Sequence, residues 1–262
     1  VKKGENMYYL NEKMYNESPV GEDFFYGLSL FETIMGYKKR LIFLDEHLKR
    51  LENSMKFLGI DKKIEKDYLY SFINNERNLN DEFMLKIQVS SEKIFVKIEN
   101  FSHRYFENGI KLVNIEKYYQ NEIGFLKSGN YLLNILARKE VLEKNGFEGV
   151  FKNRNNIITE GTISNIFFIK DNIVFTPSLD LNILDGIIRK KIIEILQKNS
   201  IKVQEGHYTT KNLLEADSIF VSNSLMKLGC LWVSEYENTK YKKSEIIHLV
   251  EKEYFKLVKS MI

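Results

Sequence analysis

The chain is poor in the residues that staple or interrupt a fold. Among its 262 residues only one, Cys230, is a cysteine, and only two are prolines. A single thiol cannot close an internal disulfide, and it excludes a cysteine-rich metal centre. The four histidines, His47, His103, His207 and His248, show no metal-ligand spacing and read as surface or packing residues, so no metal is expected. Net charge is almost absent: 39 basic against 36 acidic residues leave +3, too little and too dispersed for a nucleic-acid or acidic-membrane partner. No run of 18 apolar residues occurs and no leader-like segment opens the sequence, so a soluble, cytoplasmic protein is expected.

What is present is apolar surface: 44% of residues are hydrophobic and 13% aromatic, enough to fill one large core or two modest ones. Short strand patterns alternate with helical ones. Met7–Asn11, Leu30–Tyr37, Glu82–Val89, Lys93–Asn100 and Ile110–Ile115 read as strands, with Lys38-Lys39-Arg40 as a charged turn. Asp45 is a plausible N-cap for a helix to Leu58, whose Leu48, Leu51, Met55 and Leu58 share a face, and a second helix is expected near Ile64–Asn75. The polar, aromatic stretch Glu116–Glu122 breaks the pattern. Dividing the chain there gives an N-terminal α/β part at 1–118, a linker at 119–125 and a C-terminal α/β part at 126–262. The second part shows a helix to about Lys144, two hairpin-like strand pairs within 149–176, and a helix from Gly186 to Lys198. A strand at Ile201–Gln204, a short helix at Lys211–Ala216, a strand at Ser218–Ser222 and a terminal helix at Ser244–Ser260 follow.

Four short constellations carry chemistry. Lys127, in "GFLKSGNYLLN", lies between an apolar run and a helical pattern, where loops present functional groups; the plain alternative is a helix-start lysine reaching water. Arg50, in "EHLKRL", is flanked by the core positions Leu48 and Leu51, which favours an anion partner, with an intrahelical pair to Glu46 as the alternative. Glu160, in "ITEGTISNIFF", ends a strand at a turn of small polar residues, where a carboxylate can be held in a fixed direction. In "ILDGIIRKKIIEIL", Gly186 opens a helix whose first free N–H groups, from Ile187 and Ile188, suit a phosphate. An amine, an isolated carboxylate, an arginine and such a helix start are what pyridoxal 5'-phosphate requires.

Six runs in order, "FFYGLSLFETI", "FLDEHLKRLENS", "LKSGNYLLNILARKEVLEKNGFEGV", "ITEGTISNIFFIKDNIVFTP", "ILDGIIRKKIIEIL" and "LLEADSIFVSNSLMKLG", resemble the class IV aminotransferases, the fold-type IV pyridoxal-phosphate enzymes, over nearly the whole chain. The resemblance implies a two-domain α/β (α+β) fold with the cofactor in the cleft between domains, and a homodimer whose partner completes each site. It implies Lys127 as Schiff-base lysine and proton shuttle, and Glu160 as partner of the pyridine nitrogen. Arg50, the Ile187 and Ile188 amides and the Ser224 hydroxyl would hold the phosphate, with Tyr26 near cofactor and lysine. Phe31, Thr33 and Asn223 would line the substrate side, Thr33 orienting the substrate or assisting proton transfer.

Within the family, "FET" at Phe31-Glu32-Thr33 and "SNSLM" at Ser222–Met226 resemble the aminodeoxychorismate lyases; transaminases of D-amino or branched-chain amino acids are the alternative. One departure stands out. Members commonly carry Arg-Gly after the strand matching Leu85–Val89, and this chain has Ser90-Ser91 and a short turn. Lys86 and Lys93 are possible stand-ins for that arginine in binding a substrate carboxylate, although strand lysines more often face solvent.

Overall fold

A computed structural model describes residues 8–10, 13–15, 20–102, 106–119 and 121–262. Strands β1 (Tyr8–Leu10) and β2 (Lys13–Tyr15) form a small antiparallel pair. The ends of the expected strand, Met7 and Asn11, and His103 lie outside the described residues. After the short helix α1 (Glu22–Tyr26) come β3 (Leu30–Tyr37), β4 (Arg40–Leu41), α2 (Leu44–Phe57), α3 (Lys66–Asn75), β5 (Glu82–Val89) and β6 (Ile94–Asn100). The last four strands make an antiparallel sheet in the order β4-β3-β5-β6.

The alternation in β5 explains how this sheet is used. Phe83, Leu85, Ile87 and Val89 are fully buried and pack with Leu48, Leu51 and Met55 of α2 and Leu69 and Ile73 of α3. The other face carries Met84, Lys86 and Gln88 and is left for a cleft. The Lys38-Lys39 turn forms as expected, with both residues at positive φ. The cap of α2 differs from expectation: Phe43, at φ 54, precedes Leu44, and Asp45 lies within the first turn. The Phe43 side chain is buried against Tyr254, and that packing sets the helix start instead of a polar cap.

The remaining elements are β7 (Ile110–Tyr118), α4 (Leu132–Glu143), β8 (Glu148–Lys152), β9 (Ile158–Gly161), β10 (Asn165–Lys170), β11 (Ile173–Pro177), α5 (Ile187–Lys198), β12 (Val203–Gly206), α6 (Thr210–Leu214), β13 (Ser218–Ser222), β14 (Cys230–Tyr236), β15 (Thr239–Lys240) and α7 (Glu245–Lys259). They build a nine-stranded mixed sheet, ordered β12-β11-β10-β13-β14-β7-β8-β9, with β15 paired to β14. This corrects the expected division of the chain. Strand β7, assigned by sequence to the first part, runs parallel to β14 and β8 in the second sheet, so the change of sheet falls between β6 and β7 and not at 119–125. Alternation identifies a strand but not its neighbours, which here lie far along the chain.

Helices α5 and α7 cover one face of the large sheet through Ile187, Ile188, Ile192, Ile195, Leu196, Ile247, Val250 and Tyr254. Met35, Ile42 and Phe43 of the first half join the same core, so the two sheets share buried apolar surface.

Gly36 in β3 faces Phe83 of β5, whose ring occupies the space a Cβ would need. Gly36→Ala is expected to destabilise the protein by about 1–3 kcal/mol through overpacking. Denaturant titration would measure this, and a midpoint equal to wild type would show that the ring yields freely.

Candidate active site

Lys127 does not start a helix. It precedes α4 by several residues, in a segment clamped to β3: its carbonyl accepts from Phe31 N at 2.8 Å, Ser128 bridges Leu30, and Gly129 N donates to Ser29 O at 2.7 Å. Its ammonium lies 4.4 Å from the centre of the Phe31 ring, and Tyr131 meets that ring edge-on at 5.5 Å. Burial and then the nearby Arg50 charge pull the lysine pKa down to about 8. The side chain is therefore an amine that can lose its proton near neutral pH.

Glu160 ends β9, 7% exposed, and takes a hydrogen bond from Leu184 N at 3.2 Å and one from the Tyr119 hydroxyl. Burial outweighs these donors and pushes its carboxyl up to about 7. The turn after it is held by a second buried acid. Glu148 accepts from Gly149 N and Thr162 N at 2.8 and 2.9 Å and from the Ser164 and Thr162 hydroxyls. Asn134 of α4 donates to Thr162 O at 2.8 Å, which pins the helix following Lys127 to the turn following Glu160.

Arg50 does not pair with Glu46, whose partner is Lys191. Its Nε and Nη2 donate to both oxygens of Glu32 at 2.7 Å, and its Nη1 donates to Asp185 O at 2.9 Å. Two of the five guanidinium donors remain for the cleft. Glu32, 1% exposed, also contacts His47 Nδ1 at 2.7 Å, and His47 Nε2 reaches the Ser224 hydroxyl at 3.4 Å. Burial works to raise the Glu32 carboxyl, and Arg50 and His47 overcome it, holding it at about 2. Burial lowers the His47 pKa against the pull of Glu32. Of the surface and packing roles expected for the histidines, His47 takes the buried one, and it joins Glu32 to Ser224.

One cavity of about 540 Å³ joins these groups. Phe31, Thr33, Arg50, Lys127, Glu160, Ile187, Ile188, Asn223 and Ser224 all line it. Ile187 and Ile188 have buried side chains, so they offer the cleft only backbone N–H at the start of α5, where no side chain caps the helix. Asn223 spends its side chain on Ile163 O at 3.2 Å and Leu225 N at 2.9 Å, bracing its turn. Tyr26 is the exception: it is 76% exposed on α1 and absent from the cavity wall, because the whole Phe24–Tyr26 stretch points outward.

The donor set fits pyridoxal 5'-phosphate. A buried carboxylate raised to about 7 calls for a cationic partner such as a ring N–H, and an amine lowered to about 8 can attack an aldehyde. The uncapped start of α5, the spare Arg50 donors, and the buried Ser222 hydroxyl with no hydrogen-bond partner among the described residues suit a phosphate. Among the described residues no cluster of acidic, histidine or cysteine side chains could hold a metal ion, and no helix is long and apolar enough to cross a membrane.

The model of the family described as amino-transferase class IV matches residues 29–235. The chain belongs to that family. An aminodeoxychorismate lyase of Bacillus subtilis (strain 168) is 30% identical to this class IV chain, the match covering 97% of it and 94% of the relative. A D-alanine aminotransferase of Bacillus licheniformis is 27% identical over 76% of each. The crystal structure of a T.th. branched-chain amino acid aminotransferase complexed with N-(5'-phosphopyridoxyl)-L-glutamate superposes with a TM-score of 0.81 at 20% identity, covering 92% of this chain and 88% of that one. The shared fold is the two-sheet, fold-type IV architecture described above.

Three site residues were not singled out from the sequence of this class IV chain: Glu32, His47 and Tyr119. A signal for the first existed, because Glu32 sits between Leu30 and Ile34 on the buried face of β3.

Glu160 generates a pH-dependent expectation for the cofactor-free protein. Its folded pKa, about 7, lies above the unfolded value of 4.5, so the native state holds an extra proton in between and stability falls as pH rises through that window. Glu160→Gln removes this cost. The variant is expected to be more stable than wild type at pH 8, by up to ~3 kcal/mol, with the difference vanishing below about pH 4.5. Unfolding curves at both pH values measure it; equal stability at pH 8 would mean the carboxylate is already compensated.

Proposed function

We propose that this class IV aminotransferase-family enzyme is an aminodeoxychorismate lyase, converting 4-amino-4-deoxychorismate to 4-aminobenzoate and pyruvate. The observation that carries the reading is the similarity to the Bacillus subtilis lyase over 97% of the chain, with Phe31 and Thr33 lining the same cavity as Lys127. Its cofactor is pyridoxal 5'-phosphate, which when bound supplies an electron sink for the carbon beside the substrate amine.

In this reading Lys127 would hold the aldehyde of the cofactor and, as a free amine, would be the base that takes the ring proton beside the substrate amine. Its lowered pKa keeps a useful fraction in the amine form near neutral pH. The C–O bond to the enolpyruvyl group breaks as that proton leaves, and pyruvate departs with the electron pair and gains a proton. No external oxidant or reductant enters. Glu160 would hold the ring N–H charge, and Arg50, the Ile187 and Ile188 amides and Ser224 would hold the phosphate. The Thr33 hydroxyl orients the substrate ring. Tyr26 acts in this scheme only through a second copy of the chain: Phe24, Phe25 and Tyr26 are all exposed, and we infer a homodimer that covers such apolar surface.

Transamination is the competing reading, supported by the 27% identity to a D-alanine aminotransferase. The deciding assay supplies the cofactor-loaded protein with aminodeoxychorismate made in place from chorismate and glutamine, beside wells holding D-alanine or L-leucine with 2-oxoglutarate. Aminobenzoate and pyruvate in equal amounts, without amino transfer, are expected. Glutamate formation without aminobenzoate would make it a transaminase. Lys127→Ala is expected to lose the visible absorption of attached cofactor and at least ~100-fold of the activity under either reading; retention of that absorption would remove Lys127 from its role.

A further inference from the structure

The open face of the small sheet forms one wall of the cleft, through Thr33, Met84, Lys86 and Lys97. Register places Thr33 of β3 directly opposite Lys86 of β5, and Lys86 directly opposite Lys97 of β6. All three line the cavity that holds Lys127. The strand lysine expected to face solvent therefore faces the cleft instead. Phe31 orders the row from within, its ring centre 4.4 Å from Lys127 Nζ and 4.7 Å from Lys86 Nζ.

Two cations directly opposite on neighbouring strands repel one another, and a sheet bears that cost most readily where an anion lies between or above them. Lys97 has an acid beside it, Glu99 at 2.7 Å, and both are about half exposed at the mouth. Lys86 is only partly exposed, and among the described residues no carboxylate pairs with it. The cavity-lining neighbours Met84, Gln88 and Phe95 carry no acid, the Gln88 amide donates to Ser29 at 3.0 Å, and Glu99, opposite Met84 on β6, is engaged by Lys97.

We propose that Lys86 is the residue that binds a carboxylate of the substrate, with Lys97 attracting the anion at the mouth, so that β5 supplies the cation this chain lacks after Val89. The inference rests on Lys127 as the reacting amine: an amino acid or amino-cyclohexadiene acid then spans from Lys127 to Lys86 along the face of Phe31. Lys86 acts as a point charge with three donors, which accepts a carboxylate in more than one orientation.

The test uses the cofactor-loaded enzyme and chorismate, a dicarboxylate that has a hydroxyl where the reactive amine would be and so reports binding without turnover. Calorimetric affinity and the aminodeoxychorismate KM are measured for wild type, Lys86→Gln, Lys86→Arg and Lys97→Gln. Lys86→Gln is expected to weaken chorismate and raise KM at least ~10-fold, with kcat changed less, and Lys86→Arg to recover most of the loss. Lys97→Gln is expected to cost ~2–3-fold at low salt and nothing at high salt. The cofactor absorption and melting temperature of Lys86→Gln should match wild type, which a merely structural lysine would not guarantee. Wild-type affinity and KM in Lys86→Gln would overturn the proposal while leaving the lyase reading intact. If wild type converts D-alanine and not aminodeoxychorismate, the lyase reading falls, and the KM for 2-oxoglutarate decides: raised in Lys86→Gln it sustains the carboxylate site, unchanged it overturns it. A wild-type enzyme that neither binds nor converts any of these carboxylates overturns both.

Discussion

Arg50 is held at three points by groups from two different sheets, and the cleft takes its form from that. Its helix belongs to the small sheet, its carboxylate partner Glu32 lies on β3, and its carbonyl partner Asp185 lies in the loop that leads into α5 of the large sheet. Burying ions is costly, and a buried pair is a poor source of net stability. What it provides is position. A guanidinium forked onto both oxygens of a carboxylate cannot swing, and the same contact draws the start of α5 to the wall that carries Lys127. His47 extends the constraint to Ser224, beyond β13, so the side chains proposed to grip phosphate share one rigid support.

The same cluster also divides labour between two buried acids. Glu32, facing Arg50 and His47, stays ionised and holds parts together. Glu160 is also buried but faces only a backbone N–H, a tyrosine hydroxyl and a more distant amine, so its charge is left undercompensated. Equal chemistry in unequal surroundings yields one carboxylate held ionised and one held near its protonated form. Arg50 joins burial in lowering the Lys127 pKa, while Glu32 and Glu160 oppose it. The balance leaves an amine ready to react without a dedicated base beside it.

Much of this was legible in the chain, for reasons that also mark where legibility ended. Strands with strict alternation, such as β5, and the β10–β11 hairpin with its Asp171-Asn172 turn were readable to the residue or nearly so, because local pattern and turn chemistry specify them. Strand β14 escaped notice: its burial runs in threes, not twos, so Cys230–Tyr236 carries no alternation. Strand β7 was seen but joined to the wrong half, since its partners β8 and β14 are a matter of topology. Lys127, Glu160, Arg50 and the α5 start were each ambiguous alone, and became informative through their order along the chain. Glu32 and His47 were passed over because their meaning is mutual: a carboxylate on an apolar strand face and a histidine on an apolar helix face explain each other only once strand and helix are packed together.

Lys86 shows the limit from the other side. Period two separates the faces of β5 but cannot tell whether the face away from the core meets water or a second sheet. Here it meets a cleft, and that asymmetry bears on how one scaffold serves different reactions. The cofactor-side groups are backbone amides, a clamped turn and an interlocked ion cluster, none of which can change without moving its neighbours. The substrate side is a row of side chains on a sheet whose other face does the packing. Exchanging Thr33, Lys86 or Lys97 leaves Leu85 and Ile87 in the core and the register intact. Selectivity can therefore drift on the open face while the reactive half stays fixed, and likeness to both lyases and transaminases is the expected outcome of such a division.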